Sequence, residues 1–195
     1  MKTLIIYTHP NHESLSGAFL EAVKNGIAGS PSGHEMEILD LYAEKFDPVL
    51  IFNGEVRRRD MCTNPVFEKY REQILWADRL VFIYPIFWGR PPAMLLGFID
   101  QVFASNFAYK DVPGKIYPDG LLKDKSAVCI STMKGPANYI LFTLGNVHKI
   151  LMKKAVFQFV GIRKVKFFEF GSMESPKGNQ EKKLAKVQKY FENHA

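Results

Sequence analysis

The chain has 195 residues, 47% of them hydrophobic, so it is long enough and apolar enough to form the core of one domain. Its two cysteines, Cys62 and Cys129, lie far apart and outside any CxxC pair, which argues against a disulfide framework and a cysteine zinc site. The net charge of +6 is compatible with binding to nucleic acid, to anionic membranes or to phosphorylated cofactors, and it does not distinguish among these partners.

The apolar stretches of the chain are short. Residues 1–7 are too few for the apolar region of a signal peptide, and the longest apolar run, residues 80–88, is about half a membrane span. No repeat, low-complexity tract or Pro/Gly/Ser-rich linker divides the sequence. We therefore expect one domain over residues 1–195, located in the cytoplasm and without membrane insertion.

Strand-like and helix-like segments alternate along the chain. Alternating, β-branched or continuous apolar runs predict five strands, at residues 3–7, 35–41, 80–85, 127–132 and 165–170. Helical spacing and helix-start signals predict five helices, at residues 14–27, 65–76, 91–103, 136–159 and from Ser175-Pro176 to Asn193. This alternation predicts an α/β three-layer sandwich, with helices on both faces of a five-stranded parallel sheet of order 2-1-3-4-5. A ligand is then expected over the carboxyl ends of strands one and three, where the order reverses.

The first loop after a strand, residues 8–16 (THPNHESLS), brings polar groups to the start of a helix. The free N–H groups and the dipole of a helix start favour a phosphate by about 0.3–2 kcal/mol, and His9, Ser14 and Ser16 add hydrogen-bond donors. A plain helix cap at Ser14 with a polar loop histidine explains the same residues equally well, so both interpretations stay open. His9 and His12 lack the HExxH spacing and a third ligand, and no metal site is predicted.

The second loop, residues 85–92 (PIFWGRPP), follows the predicted central strand. Its bulky apolar side chains and free backbone N–H groups suit a planar ring. An aromatic run after a buried strand is more often part of the core, but its position at the switch point favours a binding site.

The third loop, residues 131–136 (STMKGP), ends the fourth strand at the same edge of the sheet. Tyr139 follows one short turn into the next helix, and it is either a hydrogen-bond donor to a ligand or an ordinary half-buried tyrosine. Lys134 is either a partner for a phosphate or a solvated lysine. His148, deeper in the same helix, is expected to be structural. We expect the three loops to converge.

Other patterns exclude several function classes. Residues 57–59 (RRR) lie beside Asp60 without an aromatic-interleaved or helix-turn-helix pattern, so they predict a solvated loop and no nucleic-acid partner. The chain contains no GxGxxG after the first strand, no GxxxxGK[ST] and no GxSxG. Their absence argues against Rossmann dinucleotide, P-loop and α/β-hydrolase chemistry.

With these loops the chain resembles, nearly end to end, the NAD(P)H:quinone oxidoreductase family of flavodoxin-like proteins. His9-Pro10 and Ser14-Leu15-Ser16 are similar to the family segment that holds the flavin phosphate, His-Pro-x-x-x-Ser-[Phe/Leu]-[Asn/Ser]. Residues 84–103 (YPIFWGRPPAMLLGFIDQVF) are similar to the family segment that lines the isoalloxazine ring. Chance agreement over that length is improbable.

The loop after the fourth strand matches the family only in part. Ser131, Thr132 and Tyr139 agree with a Thr-Thr-Gly-Gly segment followed by a tyrosine, whereas Met133 and Lys134 replace both glycines. The replacement removes easy positive-φ geometry and adds bulk where nicotinamide or quinone should approach. This departure bears on the identity of the substrate and on the rate.

The resemblance implies a flavin, either FAD or FMN, with NAD(P)H as co-substrate and a two-electron hydride transfer to a quinone-like acceptor in a ping-pong order. It also implies a catalytic Tyr139 and a homodimer with the active site at its interface. The alternative is a flavin-binding regulatory or ancillary subunit with little turnover, for example of a transport system. Together with Lys134, the expected cofactor-binding residues are His9, Ser14, Leu15, Ser16, Pro85, Ile86, Phe87, Trp88, Gly89, Ser131, Thr132 and Tyr139.

Overall fold

The computed structural model describes residues 1–31, 33–55, 57–173 and 179–194, and its centre is a five-stranded parallel sheet. The strands among these residues are β1 (Lys2–Tyr7), β2 (Glu35–Asp40), β3 (Arg79–Pro85), β4 (Tyr109–Lys110), β5 (Asp119–Gly120), β6 (Ser126–Thr132) and β7 (Lys164–Phe170). The sheet has the order β2-β1-β3-β6-β7 with all neighbours parallel, while β4 and β5 form a short antiparallel pair. The predicted order 2-1-3-4-5 is confirmed, with β6 and β7 as its fourth and fifth strands.

Helices connect the strands on both faces of the sheet. In the described ranges they are α1 (Leu15–Ala28), α2 (Glu68–Trp76), α3 (Ala93–Val102), α4 (Ala137–Phe142), α5 (Val147–Ile150) and α6 (Gln180–His194). Two 3₁₀ turns (Arg58–Thr63 and Pro65–Phe67) precede α2, and a π-helical segment (Leu151–Gln158) continues α5. Helical structure begins at Pro65, as predicted, but as a 3₁₀ turn capped by Asn64 Oδ1, which accepts a hydrogen bond from Val66 N–H at 3.0 Å; the α-helix itself begins at Glu68. None of the helices in these ranges has the length and apolar character needed to cross a membrane.

The helix predicted over residues 136–159 is not continuous. Gly145 and Asn146, between α4 and α5, have φ angles of 58° and 56°, a left-handed backbone that a right-handed helix does not contain. The chain becomes helical again at α5 and continues as the π-helical segment. The predicted entry to the last helix, Ser175-Pro176, lies outside the described residues, and α6 ends at His194, one residue past the expected end.

Two apolar cores lie on opposite faces of the sheet and make it the middle of three layers. Strand β3 is buried along its whole length, as its continuous apolar run predicts. On one face the sheet packs against α2, α3 and the π-helical segment, and on the other against α1 and α6. Because α1 and α3 lie on opposite faces, the carboxyl ends of β1 and β3 open into a crevice between them.

The Arg79→Leu variant is expected to lose about 2–3 kcal/mol of unfolding free energy. Arg79 is buried at the start of β3, and its guanidinium donates to Thr3 Oγ1 at 3.0 Å and to the carbonyl of His194 at 2.6 Å. It also lies 4.7 Å from the centre of the Phe191 ring in α6. The substitution removes the donor from both acceptors and releases the end of α6. Urea unfolding measures the loss, with the exposed Arg163→Leu as control, and equal losses in the two variants would contradict this account.

Candidate functional site

A cleft of about 600 Å³ opens at the carboxyl ends of β1, β3, β6 and β7. It lies at the switch point between β1 and β3, where the strand order predicts a ligand. Its volume falls within the roughly 300–1,000 Å³ of small-molecule and cofactor sites. The lining residues are His9, Glu13, Ser14, Leu15, Ser16, Pro85, Ile86, Phe87, Thr132, Met133, Lys134 and Met173.

The start of α1 forms a polar end of the cleft. Ser14 Oγ accepts a hydrogen bond from Gly17 N–H at 3.2 Å, so Ser14 caps α1 while it also lines the cleft. The two interpretations of Ser14 are therefore compatible. The N–H groups of Leu15 and Ser16 belong to the first turn and have no carbonyl partner within the helix. No acidic residue within the first turn of this 14-residue helix offsets its positive dipole end.

The two histidines of the loop after β1 have different surroundings. His9 Nδ1 lies 3.0 Å from Asn11 N and 2.9 Å from Asn11 O, so the loop holds the ring from one side. Its Nε2 has no hydrogen-bond partner in the part of the chain that the structure describes, and this nitrogen is the one that a ligand can engage. His12 Nε2, in contrast, lies 2.7 Å from Asp40 Oδ2 and ties the loop to the end of β2.

Buried hydroxyl groups continue the polar end toward β6. Ser16 Oγ lies 3.4 Å from Thr132 Oγ1, and both residues are buried. Thr8, one residue before His9, is fully buried, and its Oγ1 has no partner among the described residues. A buried hydroxyl without a partner is costly, but Thr8 is not among the residues that line the cleft.

Another wall of the cleft is apolar. Ile86 and Met133 pack together and are 9% and 8% exposed. Met133 N–H donates to the Phe170 carbonyl at 2.9 Å, so the backbone after β6 stays paired with the end of β7. Met133 and Lys134 do not have positive φ, and the glycine-type geometry expected here is not used. The Met133 side chain forms part of this apolar wall and occupies space that a glycine would leave open.

A tight turn after β3 carries Trp88. Phe87 and Arg90 exchange two backbone hydrogen bonds, of 3.0 and 3.1 Å, around Trp88 and Gly89, whose φ angles are 52° and 74°. This left-handed backbone suits glycine but costs another residue about 1–2 kcal/mol. The Trp88 side chain is 96% exposed, so packing within the chain does not offset that cost.

Two substitutions of Trp88 test the strain in this turn. Trp88→Gly is expected to be about 1 kcal/mol more stable than Trp88→Ala, because glycine adopts a positive φ without strain. Thermal unfolding of the two variants measures the difference. Tyr117 is the matched control site, since it is 78% exposed and does not have a positive φ. At Tyr117, the glycine variant is expected to be less stable than the alanine variant. If Trp88→Gly is also less stable than Trp88→Ala, the turn at Trp88 is not strained.

The structure brings nine of the predicted cofactor-binding residues to the cleft: His9, Ser14, Leu15, Ser16, Pro85, Ile86, Phe87, Thr132 and Lys134. Trp88 and Gly89 lie in the adjoining turn and do not line it. Ser131 is fully buried and does not line it either, because successive strand residues point to opposite faces and Thr132 takes the cleft position. Tyr139 is 53% exposed in α4, away from the cleft lining, and its catalytic role stays a prediction.

Glu13, Met133 and Met173 line the cleft but were not among the expected cofactor-binding residues, although Met133 was expected to add bulk near the substrate. Met173 follows β7, which pairs with β6, so the predicted strand order already implied that the loop after the fifth strand ends at the same edge. Glu13 precedes Ser14, and its position in the first loop was the only signal in the sequence.

Comparisons with known proteins match almost the entire chain. The family model Flavodoxin_2, described as a flavodoxin-like fold, matches residues 1–194. The structure of Smu.1420 from Streptococcus mutans UA159 is 40% identical with a TM-score of 0.90, covering 99% of this chain and 100% of that chain. An NAD(P)H:quinone oxidoreductase from Methanothermobacter marburgensis is 25% identical with a TM-score of 0.82, covering 100% of this chain and 96% of that chain.

Curated relatives extend the comparison. Ribosyldihydronicotinamide dehydrogenase (quinone) of Rattus norvegicus is 29% identical over 154 residues, which are 70% of this chain and 64% of that protein. The chain therefore spans less than two thirds of that relative's length. An uncharacterized NAD(P)H oxidoreductase of Haemophilus influenzae is 29% identical over 176 residues, which are 89% of this chain and 85% of that protein.

Proposed function

Because the chain belongs to the Flavodoxin_2 family of flavodoxin-like proteins, we propose that it is a flavin-dependent NAD(P)H oxidoreductase that delivers a hydride to a quinone-like acceptor. The observation that carries the proposal is the cleft, which joins a phosphate-suited helix start to an apolar wall at the switch point. The quinone-reducing enzymes among its relatives support the reaction class. Its proposed location is the cytoplasm.

The polar end of the cleft suits the flavin phosphate. His9 Nε2, the Ser14 and Ser16 hydroxyls and the first-turn N–H groups are the proposed ligands. Charge-assisted hydrogen bonds of this kind each contribute about 1.5–3 kcal/mol. The chemistry of these groups therefore fits either FMN or the phosphate next to the ribityl chain of FAD.

The apolar side of the cleft suits the flavin ring. Pro85, Ile86 and Phe87 lie along it, and Met133 completes the wall. A bound flavin would supply hydride transfer, first from NAD(P)H and then to the acceptor at the same place, in a ping-pong order. The side chains contribute by orienting the reactants and excluding water.

The loop after β6 is the proposed acceptor side. Lys134 lines the cleft and offers a cation for a phosphate of NAD(P)H. The Tyr139 hydroxyl is the proposed donor that steadies negative charge near the flavin or the acceptor.

We propose that the working form is a homodimer with the active site at its interface. Trp88, Tyr139 and Phe142, on the loops and helix that follow β3 and β6, are 96%, 53% and 80% exposed. Large apolar side chains exposed beside a cleft are typical of a contact with a partner or ligand. A second copy of the chain would cover these side chains and complete the acceptor side. Sedimentation velocity of the purified protein tests the dimer, and a monomer at micromolar concentration would contradict it.

Steady-state kinetics test the reaction. The protein is loaded with FMN or FAD, and the oxidation of NADH and NADPH is followed with a panel of quinones. We expect acceptor-dependent oxidation with parallel double-reciprocal lines, which are the pattern of a ping-pong order. Flavin-loaded protein without acceptor-dependent oxidation would refute the enzyme and favour the ancillary flavin-binding role.

A further inference from the structure

After Met133, the segment up to α5 has no buried side chain where burial is described. From Lys134 to Asn146 the described side chains are exposed or half-buried, and the next buried residue is His148 in α5. We call residues 134–146 the arm. The arm contains α4 with Tyr139, and it ends at the left-handed pair before α5. Buried residues therefore flank the arm on both sides.

The first end of the arm is held by Met133. The Met133 side chain packs against Ile86, just beyond β3, and its N–H donates to the Phe170 carbonyl of β7 at 2.9 Å. Near this end, the arm is also joined to the loop after β7, because Ser172 N–H donates to the Gly135 carbonyl at 2.8 Å. The start of the arm is thus fixed to the sheet through both β3 and β7.

The second end is held by His148, which is fully buried and engaged at both ring nitrogens. Its Nε2 lies 2.7 Å from the Tyr84 hydroxyl, and its Nδ1 lies 3.2 Å from Glu169 Oε1. Burial raises the pKa of Tyr84 well above its usual value, so the hydroxyl stays protonated and is the hydrogen-bond partner of Nε2. Burial also raises the pKa of Glu169, but His148 and Lys149 outweigh this effect and lower the pKa overall. The ionised carboxylate then accepts from Nδ1–H.

The two ends of the arm contact the same two strands near the cleft. Met133 contacts Ile86, just beyond β3, and Phe170 in β7. His148 contacts Tyr84 in β3 and Glu169 in β7. Backbone hydrogen bonds hold the first end, and side-chain hydrogen bonds, which fix both distance and angle, hold the second. The second end therefore helps to set the orientation of the arm.

We infer that Tyr84, His148 and Glu169 are positioning residues whose hydrogen-bonded chain holds the arm, which begins at the cleft-lining Lys134 and carries Tyr139. None of the three lines the cleft, so they act through the arm. The part of this inference that concerns the acceptor rests on the proposed function, whereas the holding of the arm does not.

Hydrogen exchange of backbone amides tests the holding without any flavin. Tyr84→Phe removes one hydroxyl and keeps the ring, and we expect amides of α4 and α5 to exchange about tenfold faster, which corresponds to about 1.4 kcal/mol. Glu169→Leu removes the acceptor and is expected to speed the exchange of the same amides by a similar factor. Glu169→Gln keeps an acceptor oxygen, and its exchange rates are expected to be close to those of the parent protein. Tyr190→Phe, at the far end of the sheet near His194, is the matched control and is expected to leave α4 and α5 unchanged.

Kinetics of the flavin-loaded variants complete the test. For Tyr84→Phe and Glu169→Leu we expect the KM values for NAD(P)H and for the quinone both to rise, the latter about tenfold, because the two substrates share the cleft beside the arm, while flavin binding at the start of α1 stays near that of the parent protein. Unchanged exchange of α4 and α5, or equally faster exchange in every strand, would overturn the positioning role. Faster exchange of the arm together with no quinone reduction by the parent protein would retain that role and refute the proposed function instead.

Discussion

The Gly17→Ala variant is expected to bind FMN and FAD at least about a hundredfold more weakly than the parent protein. A Cβ at Gly17 would lie 1.8 Å from the carbonyl oxygen of His12 and 2.7 Å from its carbonyl carbon. These are backbone atoms of the loop after β1, so the loop must move. Moving it displaces His9 and Ser14, the proposed phosphate ligands, and losing two charge-assisted hydrogen bonds removes about 3 kcal/mol or more.

Flavin fluorescence quenching measures this loss of affinity. The matched control is Gly54→Ala, because a Cβ there has no atom within 4 Å, and its affinity is expected to equal that of the parent protein. Ser16→Ala removes one buried hydroxyl without a steric clash, and a loss of about tenfold is expected for it. Circular dichroism confirms that each variant is folded at the temperature of the titration. Parent-like affinity in both Gly17→Ala and Ser16→Ala would refute the phosphate site.

The Met133→Ala variant is expected to lose about 2–4 kcal/mol of unfolding free energy. Met133 is 8% exposed and packs against Ile86, and its backbone is fixed to Phe170, so the surroundings cannot collapse freely into the space. Removal of the Met133 side chain also widens the cleft. We therefore also expect a higher kcat/KM for bulky quinones relative to small ones.

Urea unfolding and a quinone size series measure these two effects of Met133→Ala. Val147→Ala is the control, since Val147 is 47% exposed in the same region, and it is expected to change stability by less than about 0.5 kcal/mol. If Met133→Ala unfolds like the control, the methionine projects into solvent and does not form the wall.

The strand order and the position of the cleft could be predicted because they depend on local pattern. The continuous apolar run of β3 identifies a strand that is covered on both faces, and alternation with helices leaves few arrangements of the sheet. Asn64 and Pro65 likewise mark the start of a helical turn through their own side chains. Once the order is known, the switch point places the loops after β1, β3 and β6 together.

Features set by the backbone conformation of a turn or by contacts distant in sequence could not be predicted. Apolar spacing continues through residues 136–159, and only the backbone at Gly145 and Asn146 interrupts the helix. The hydrogen bond between Tyr84 and His148 joins residues 64 positions apart, so the sequence indicates a structural histidine but not its partners. The left-handed backbone of Trp88 follows from the turn that Phe87 and Arg90 close, which residue type alone does not reveal.

The central claim is that the cleft binds a flavin that NAD(P)H reduces. The most direct measurement is an anaerobic titration of the protein, loaded with FMN or FAD and freed of excess, with NADH and with NADPH. We predict stoichiometric loss of the oxidised-flavin absorbance with at least one nicotinamide, and its return when a quinone is added. Protein that retains neither flavin, or retains a flavin that both nicotinamides leave oxidised, would contradict the account.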